Sequence, residues 1–489
     1  MRETHSEDSQ ERQAPMQAEI RTGTQTRGEG ISFGACRAIA LLMVAYALFH
    51  GWADIFFIGE IVDLPTTACN SHQVFILFRT LGFFACFALS YRLTTIANRR
   101  GSHLACAALL TMGTALMLTS AFAPEAAAFL QFGGAGVGGL GIGLASMLWF
   151  ESITLLKPPA ALACYLLSAL ITLSLITPLY AAGFEALAAG GFAAAVLTPL
   201  VIWLGTRFVA ARRIDPWALT NARLITRAIT LLSLFGFALA FREPMIGNQM
   251  FASGSYTAVG SLAMALIILV GVAIWGPRFR ISFVFRILLP LTAVAFLLLP
   301  AQFPLMGIIS DTCGSACDEL VKILCIVILT HQCWRNGASA LRLFGLAYTV
   351  HGALVFLGGQ ACLVLMAQGV SEADLSAWFN IIAALAIAAT IFILPNDQDL
   401  APISLYEEEA DSPAEPDDED AARAVALRFG LTARESEILE LMLKGKGIDD
   451  IAAELVIARE TVKTHRRNLF LKCEIHSEEE LRGLARRET

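Results

Sequence analysis

Between Arg459 and Lys472 the chain carries five basic residues and one acid. If this stretch is helical, Lys463, Arg466, Arg467 and Lys472 share an outer face, and Val462, Leu469 and Phe470 turn inward. The chemistry such a face can do is electrostatic. Its cations neutralise phosphates, and Lys and Arg side chains reach base edges in the major groove. Thr461, Thr464 and His465 add hydrogen-bonding groups along the same segment. The region from Leu427 onward holds 12 basic and 12 acidic residues, so the positive charge is concentrated on this one helix.

The elements that must position it are legible around it. Asp420 to Phe429 reads as a short helix ended by Gly430. Thr432 to Glu435 is a capping box, in which the hydroxyl and the carboxylate each satisfy an N–H at the helix start. Apolar residues at Ile438, Leu439, Leu441, Met442 and Leu443 then give that helix a buried face, and KGKG (Lys444 to Gly447) breaks it. A second helix is expected over Ile448 to Val456, with Ile451, Ala452 and Leu455 inward. A tight turn follows over Ile457 to Glu460, then the basic helix from about Arg459 to Cys473, then a last helix from about Ser477 to Arg487. Short helix, tight turn and basic amphipathic helix make a helix-turn-helix, whose second helix enters the major groove.

The pattern LTARESEIL, then IAAEL, then TVKTHRRN resembles the LuxR-type (NarL/FixJ-type) DNA-binding domain over about 60 residues. The resemblance implies that Lys463, Thr464 and Arg467 face base edges. It implies that His465, Arg466 and Lys472 contact phosphate or support the site, and that Thr461 belongs to the matching core Thr461 to His465. It also implies a homodimer through the last helix, here Glu478 to Ala485. Three positions depart from the family. Ala458 replaces a Ser that would cap the basic helix, a loss of about 1 kcal/mol. Lys472-Cys473-Glu474 lacks the usual Gly, and Ser477-Glu478 replaces a Ser-Arg pair.

The rest of the chain has a different character. Overall it is 56% hydrophobic and 16% charged, with a mean hydropathy of +0.63, whereas soluble domains carry about 25% charged residues. A bilayer-spanning helix needs about 20 mainly apolar residues. Twelve segments qualify: 32–58, 73–97, 103–123, 127–150, 160–181, 187–210, 222–241, 254–275, 281–300, 317–334, 341–367 and 374–394. No short apolar segment with a small-residue cleavage site opens the chain, so no removable leader is expected. Alternate loops are basic, at Arg92, Arg99 and Arg100, at Lys157, at Arg207 to Arg227, at Arg278 to Arg286, and at Arg335 and Arg342. The intervening loops are neutral or acidic, including Glu60, Glu125, Glu185, Asp311 and Glu372. Basic loops mark the cytoplasmic side. Both termini are therefore expected in the cytoplasm of a bacterium, with the spans in its inner membrane.

Twelve spans, six and six about a basic central loop, resemble the major facilitator superfamily. The family's basic signature after the second span is present as NRRG, Asn98 to Gly101, without its Asp; WGPRF, Trp275 to Phe279, sits at the equivalent place in the second half.

Several features within the spans could carry function. FGGAGVGGLGIG, Phe132 to Gly143, suits either close helix packing or a substrate path. Asp54, with His50 one turn before it, and Arg79 on the next span could form a structural pair or a signal site. Arg242 and Glu243 read as interfacial. Cys313 and Cys317, in an apparent outer loop DTCGSACDE, could form an extracytoplasmic disulfide or half of a metal or redox sensor; Cys69 is the third cysteine on that face. Neither a resident metal, nor a cofactor, nor a catalytic constellation is expected.

The expected fold is all-α: a polytopic bundle of about 12 transmembrane helices plus a C-terminal four-helix LuxR-type domain. The expected boundaries are a disordered N-terminus (1–31), a transmembrane domain (32–394), an acidic Pro-rich linker (395–422) and the DNA-binding domain (423–489). The linker's run Glu407 to Asp420 has nine acids and no base, which suits an extended spacer or a mask for the basic helix. The expected function is a membrane-embedded one-component transcription regulator, the alternative being a secondary transporter with a regulatory tail. The expected partners are double-stranded promoter DNA, the lipid bilayer, an unknown small-molecule signal and a second copy of the chain, with RNA polymerase as a further candidate.

Overall fold

The structure, a computed structural model, describes residues 33–57, 70–209, 249–276 and 304–393 and, with short omissions, 214–246 and 422–481. The N-terminal segment, Cys69, Arg212 and Arg213, nearly all of the expected span 281–300, the acidic linker and most of the last helix lie outside the described residues.

The described part of the first unit is helical because its apolar runs can satisfy their backbone groups only within the segment. Its helices are α1 (Phe33–Phe57), α2 (Ser71–Leu89), α3 (Arg100–Ser120), α4 (Ala127–Ile153), α5 (Pro158–Ala182) and α6 (Phe184–Thr206). They continue with α7 (Ala222–Ile246), α8 (Gln249–Trp275), α9 (Pro304–Asn336), α10 (Ala340–Ala367) and α11 (Glu372–Ile393). Nine helices among the described residues are long and apolar enough to cross a bilayer. The protein is a polytopic membrane protein.

α4 packs against both α2 and α3, α1 against α5 and α6, and α10 against α2 and α7. The glycine-rich stretch explains the first of these contacts. A Cβ on Gly139 would lie 2.7 Å from the Phe75 carbonyl oxygen and 3.0 Å from the Arg79 backbone nitrogen. A Cβ on Gly113 would lie 2.7 Å from Cα of Gly138. Small residues let these backbones touch, so the stretch serves packing. At its C-terminal end α4 also holds the following loop of α2. Glu151, 5% exposed, accepts hydrogen bonds from the backbone N–H groups of Ile96 (2.9 Å) and Ala97 (2.7 Å) and from the Thr95 hydroxyl (3.3 Å).

Two expectations are corrected in the second half. The tenth span is longer than 317–334: α9 runs 33 residues from Pro304, and DTCGSACDE lies inside it rather than in a loop. Cys313 and Cys317 lie one helical turn apart on α9. Side chains at i and i+4 stand about 5–6 Å apart at Cβ, beyond the roughly 3.5–4.5 Å that a disulfide needs.

The C-terminal unit has its own core, built from Val425, Ile438, Leu439, Met442, Ile451, Val462, Leu469 and Leu481 among others. Its helices are α12 (Ala433–Leu443), α13 (Ile448–Glu454) and α14 (Arg459–Lys472). The capping box forms as expected, with Glu435 Oε2 accepting from the Thr432 N–H at 2.8 Å and Thr432 Oγ1 accepting from the Glu435 N–H at 3.4 Å. Gly430, at φ +59°, ends the preceding segment, and the Leu431 N–H reaches the Ala426 carbonyl at 3.0 Å.

The turn differs from expectation. α13 ends at Glu454, two residues early, because Val456 adopts the left-handed conformation at φ +51°. The Ile457 N–H then bonds the Ala452 carbonyl at 3.0 Å, closing a Schellman motif with a β-branched residue where Gly is usual.

Candidate functional site

The basic face of the C-terminal unit is assembled by α13, the Val456 turn and α14. Ala458 opens α14 with no side-chain cap, in keeping with the missing Ser. Val462 and Leu469 are fully buried and set the rotation of the helix. That rotation leaves Lys463, Thr464 and Arg467 exposed and Thr461, His465 and Arg466 half-buried.

The exposed groups are unequally engaged. Lys463 Nζ is 2.8 Å from Glu460 Oε1, a local i, i+3 pair, and this ammonium holds the Glu460 carboxyl below its ordinary range. The Thr464 hydroxyl donates to the Glu460 carbonyl at 2.9 Å. Arg459 pairs with Asp449 at 3.1 Å, tying α14 to α13. The Arg466 guanidinium lies 5.2 Å over the Phe470 ring. Arg467 makes no hydrogen bond or ion pair among the described residues. Lys463, Arg466, Arg467, Phe470 and Leu471 line one open groove.

Lys472, with a side chain 37% exposed, reaches across to α12. Its Nζ sits 2.7 Å from Glu435 Oε2 and 3.4 Å from the Gly430 carbonyl oxygen. It therefore closes the capping box from the far end of α14. Burial pushes the Glu435 carboxyl up, but the Lys472 ammonium and the Thr432 donors outweigh it, so the carboxyl titrates below its usual range. Of the two roles the resemblance allowed, this geometry supports the structural one. Burial, with Glu435 nearby, raises the Cys473 thiol.

The membrane unit encloses a cavity of about 440 Å³. It is lined from α1 by Tyr46, His50 and Asp54, from α2 by His72, Phe75 and Arg79, from α7 by Arg242 and Glu243, from α9 by Asp318 and Lys322, and from α10 by Tyr348 and His351. Sequence reasoning brought His50, Asp54 and Arg79 together, and all three line this cavity. Their pairing differs from the one considered. Asp54 Oδ2 is 3.6 Å from His50 Nδ1, and Arg79 forms no ion pair with it. Glu243, near the end of α7, has its Oε1 3.0 Å from His72 Nδ1. Asp318 pairs with Lys322 at 2.5 Å. The contribution of α9 was missed because its charges resemble a loop in sequence. The spacing Asp318, Glu319, Lys322 on one helical face was the available signal.

With this geometry in hand, the relatives give both parts their class. The sequence pattern described as "Bacterial regulatory proteins, luxR family" matches residues 430–485. The uncharacterized response regulatory protein YgeK of Escherichia coli (strain K12) is 51% identical over 51 residues, which are 10% of this chain and 35% of that protein. The chain thus spans about a third of that relative's length. The helical unit is similar to the Major Facilitator Superfamily transporter FucP in its outward conformation, with TM-score 0.51 and 13% identity over 74% of this chain and 98% of that one. It is equally similar to the human organic anion transporter MFSD10 (TETRAN), with TM-score 0.51 and 14% identity over 73% and 99%. Residues 430–485 are a LuxR-type helix-turn-helix domain, the mark of a DNA-binding transcription regulator. The helices before it have the major facilitator fold.

Proposed function

We propose that this chain is a one-component transcription regulator whose membrane domain senses a signal and whose C-terminal domain binds promoter DNA. The observation that carries the proposal is the covalent joining of a LuxR-type domain to a membrane bundle enclosing a charged cavity. In this reading the signal enters the cavity, binds one packing of the helices better than another, and so biases the C-terminal module. A ligand shifts such an equilibrium only by its differential affinity for the two states. Lys463, Thr464 and Arg467 meet base edges, while Thr461, His465 and Arg466 contact phosphate or support α14. The basic loops support placing both termini in the bacterial cytoplasm. The last helix is the proposed homodimer contact, and RNA polymerase a downstream partner. The domain boundaries at 31, 394 and 422 belong to the same proposal.

Mapping the genomic DNA bound by the full-length protein tests the first half, with discrete promoter sites as the expected result. Ligand-dependent occupancy of those sites tests the second. The major facilitator fold also favours a second reading, a secondary transporter carrying a regulatory tail. Robust substrate flux in proteoliposomes would establish that reading and overturn a purely sensory one.

A further inference from the structure

The charged groups lining the membrane cavity are unequally engaged. Each of its three carboxylates has a basic neighbour on the protein: Asp54 has His50, Glu243 has His72, and Asp318 has Lys322. Arg79 has no such partner. Its Nε is buried without a hydrogen-bond acceptor, and the residue forms no ion pair among the described residues. Glu243 acts on it through space but is engaged by His72. A buried N–H without an acceptor is costly, and an acceptor added from outside can relieve that cost.

The surroundings narrow what that group is. The Arg79 guanidinium lies 5.4 Å from the Phe75 ring centre, and Phe75 meets Phe57 at 4.3 Å in a tilted pair. Across the lining, Tyr348 meets Phe150 at 4.7 Å and Phe83 at 5.4 Å. A small inorganic anion would leave this aromatic wall and most of the 440 Å³ unfilled. A guanidinium held in no ion pair among the described residues suits a planar carboxylate, which it binds through two parallel N–H donors. Aromatic walls suit a flat apolar body. Arg79 is also held in place. A Cβ on Gly143 would come within 2.7 Å of the Arg79 carbonyl oxygen, so α4 presses directly on the backbone that carries it.

Resting on the reading of this cavity as the signal site, we infer that its ligand is an organic monoanion, a carboxylate on an aromatic or similarly flat apolar body, anchored by Arg79. Arg79 is the residue that selects charge, and the rings of Phe75, Phe83, Phe150 and Tyr348 select shape.

The test is equilibrium binding to the full-length protein in lipid nanodiscs. The probes are phenyl and naphthyl skeletons, each as carboxylate, as neutral amide and as methylammonium. The expected result is that a carboxylate binds at least about tenfold more tightly than its amide, equivalent to about 1.4 kcal/mol, with the ammonium weakest. Arg79→Gln should erase the preference and Arg79→Lys should keep part of it. Equal binding of the three forms, preference for the ammonium, no binding of any probe, or a preference that survives in Arg79→Gln would overturn the inference. If Arg79→Gln does not fold, the order of the three forms on the native protein decides. Promoter occupancy with the same probes separates the two readings. Carboxylate binding without any change on DNA would sink the sensory role and leave the ligand class standing. Loss of charge preference would do the reverse.

Discussion

The basic face of α14 and the membrane cavity both depend on charged side chains, but they are built in opposite ways. The α14 face comes from one continuous segment in which every functional group lies within a few turns of the next. The ion pair of Lys463 with Glu460 is local, and water screens it. The cavity takes its charges from four helices far apart in sequence, and each carboxylate there has a neighbour from another element or an adjacent turn. The comparison teaches that a solvent-facing site is encoded in its own helix, whereas a site inside a bundle is encoded in the packing of the bundle.

The largest effect should come from breaking the local site. A Lys463→Ala, Arg467→Ala double variant removes two groups proposed at base edges, each worth about 1–3 kcal/mol. Its promoter footprint should vanish at concentrations that saturate the native protein, while membrane insertion is unchanged. An unaltered footprint would remove both residues from the interface. The matching break in the bundle is Gly139→Val, which drives a side chain into the Phe75 backbone at a cost of about 1–3 kcal/mol. Detergent-solubilised protein should show a lower melting temperature and weaker retention of any cavity ligand, with DNA binding by the tail intact. A parallel loss of DNA binding would show that the two regions are not separable.

Lys472→Met tests the bridge from α14 to the capping box of α12. It leaves the Glu435 carboxylate buried and unpaired, a cost of about 1–3 kcal/mol. Because the folded-state Glu435 carboxyl titrates below its ordinary value of about 4.3, the bridge stabilises the module above that pH. Its contribution disappears as pH falls through the depressed value. Amide hydrogen exchange of the C-terminal region should show that acid-dependent loss in the native protein and a smaller one in Lys472→Met. Ala458→Ser restores the missing cap of α14 and should raise the same protection by about 1 kcal/mol. Val456→Gly should have the smallest effect. It relieves left-handed strain of about 1–2 kcal/mol and returns part of that as backbone entropy, so a net gain under about 1 kcal/mol in exchange protection is expected.

Legibility followed the same division. The capping box at Thr432 and Glu435, the Gly430 stop and the inward row Ile438, Leu439, Met442, Ile451, Val462 and Leu469 were readable because each rests on contacts a few residues apart or on helical period. The turn was misplaced by two residues because nothing in Leu455-Val456-Ile457 announces a positive φ. In the membrane unit, eleven expected spans fall on helices, and nine of these among the described residues are long and apolar enough to cross a bilayer. The loop and disulfide reading of Cys313 and Cys317 failed because the polar residues of α9 turn toward a cavity, and charge in a span mimics a break in it.

By itself, then, the sequence determined two things: a LuxR-type module at the C-terminal end and a polytopic helical bundle before it. Periodicity, capping and apolar length act over short stretches of chain and carry that information locally. Only the tertiary structure decided that Lys472 serves Glu435 and that Glu243 belongs to His72. It also decided that Arg79 stands beside aromatic rings with no partner of its own. Each of these is a contact, or the lack of one, set by segments distant in sequence, a property of packing geometry that no single segment contains.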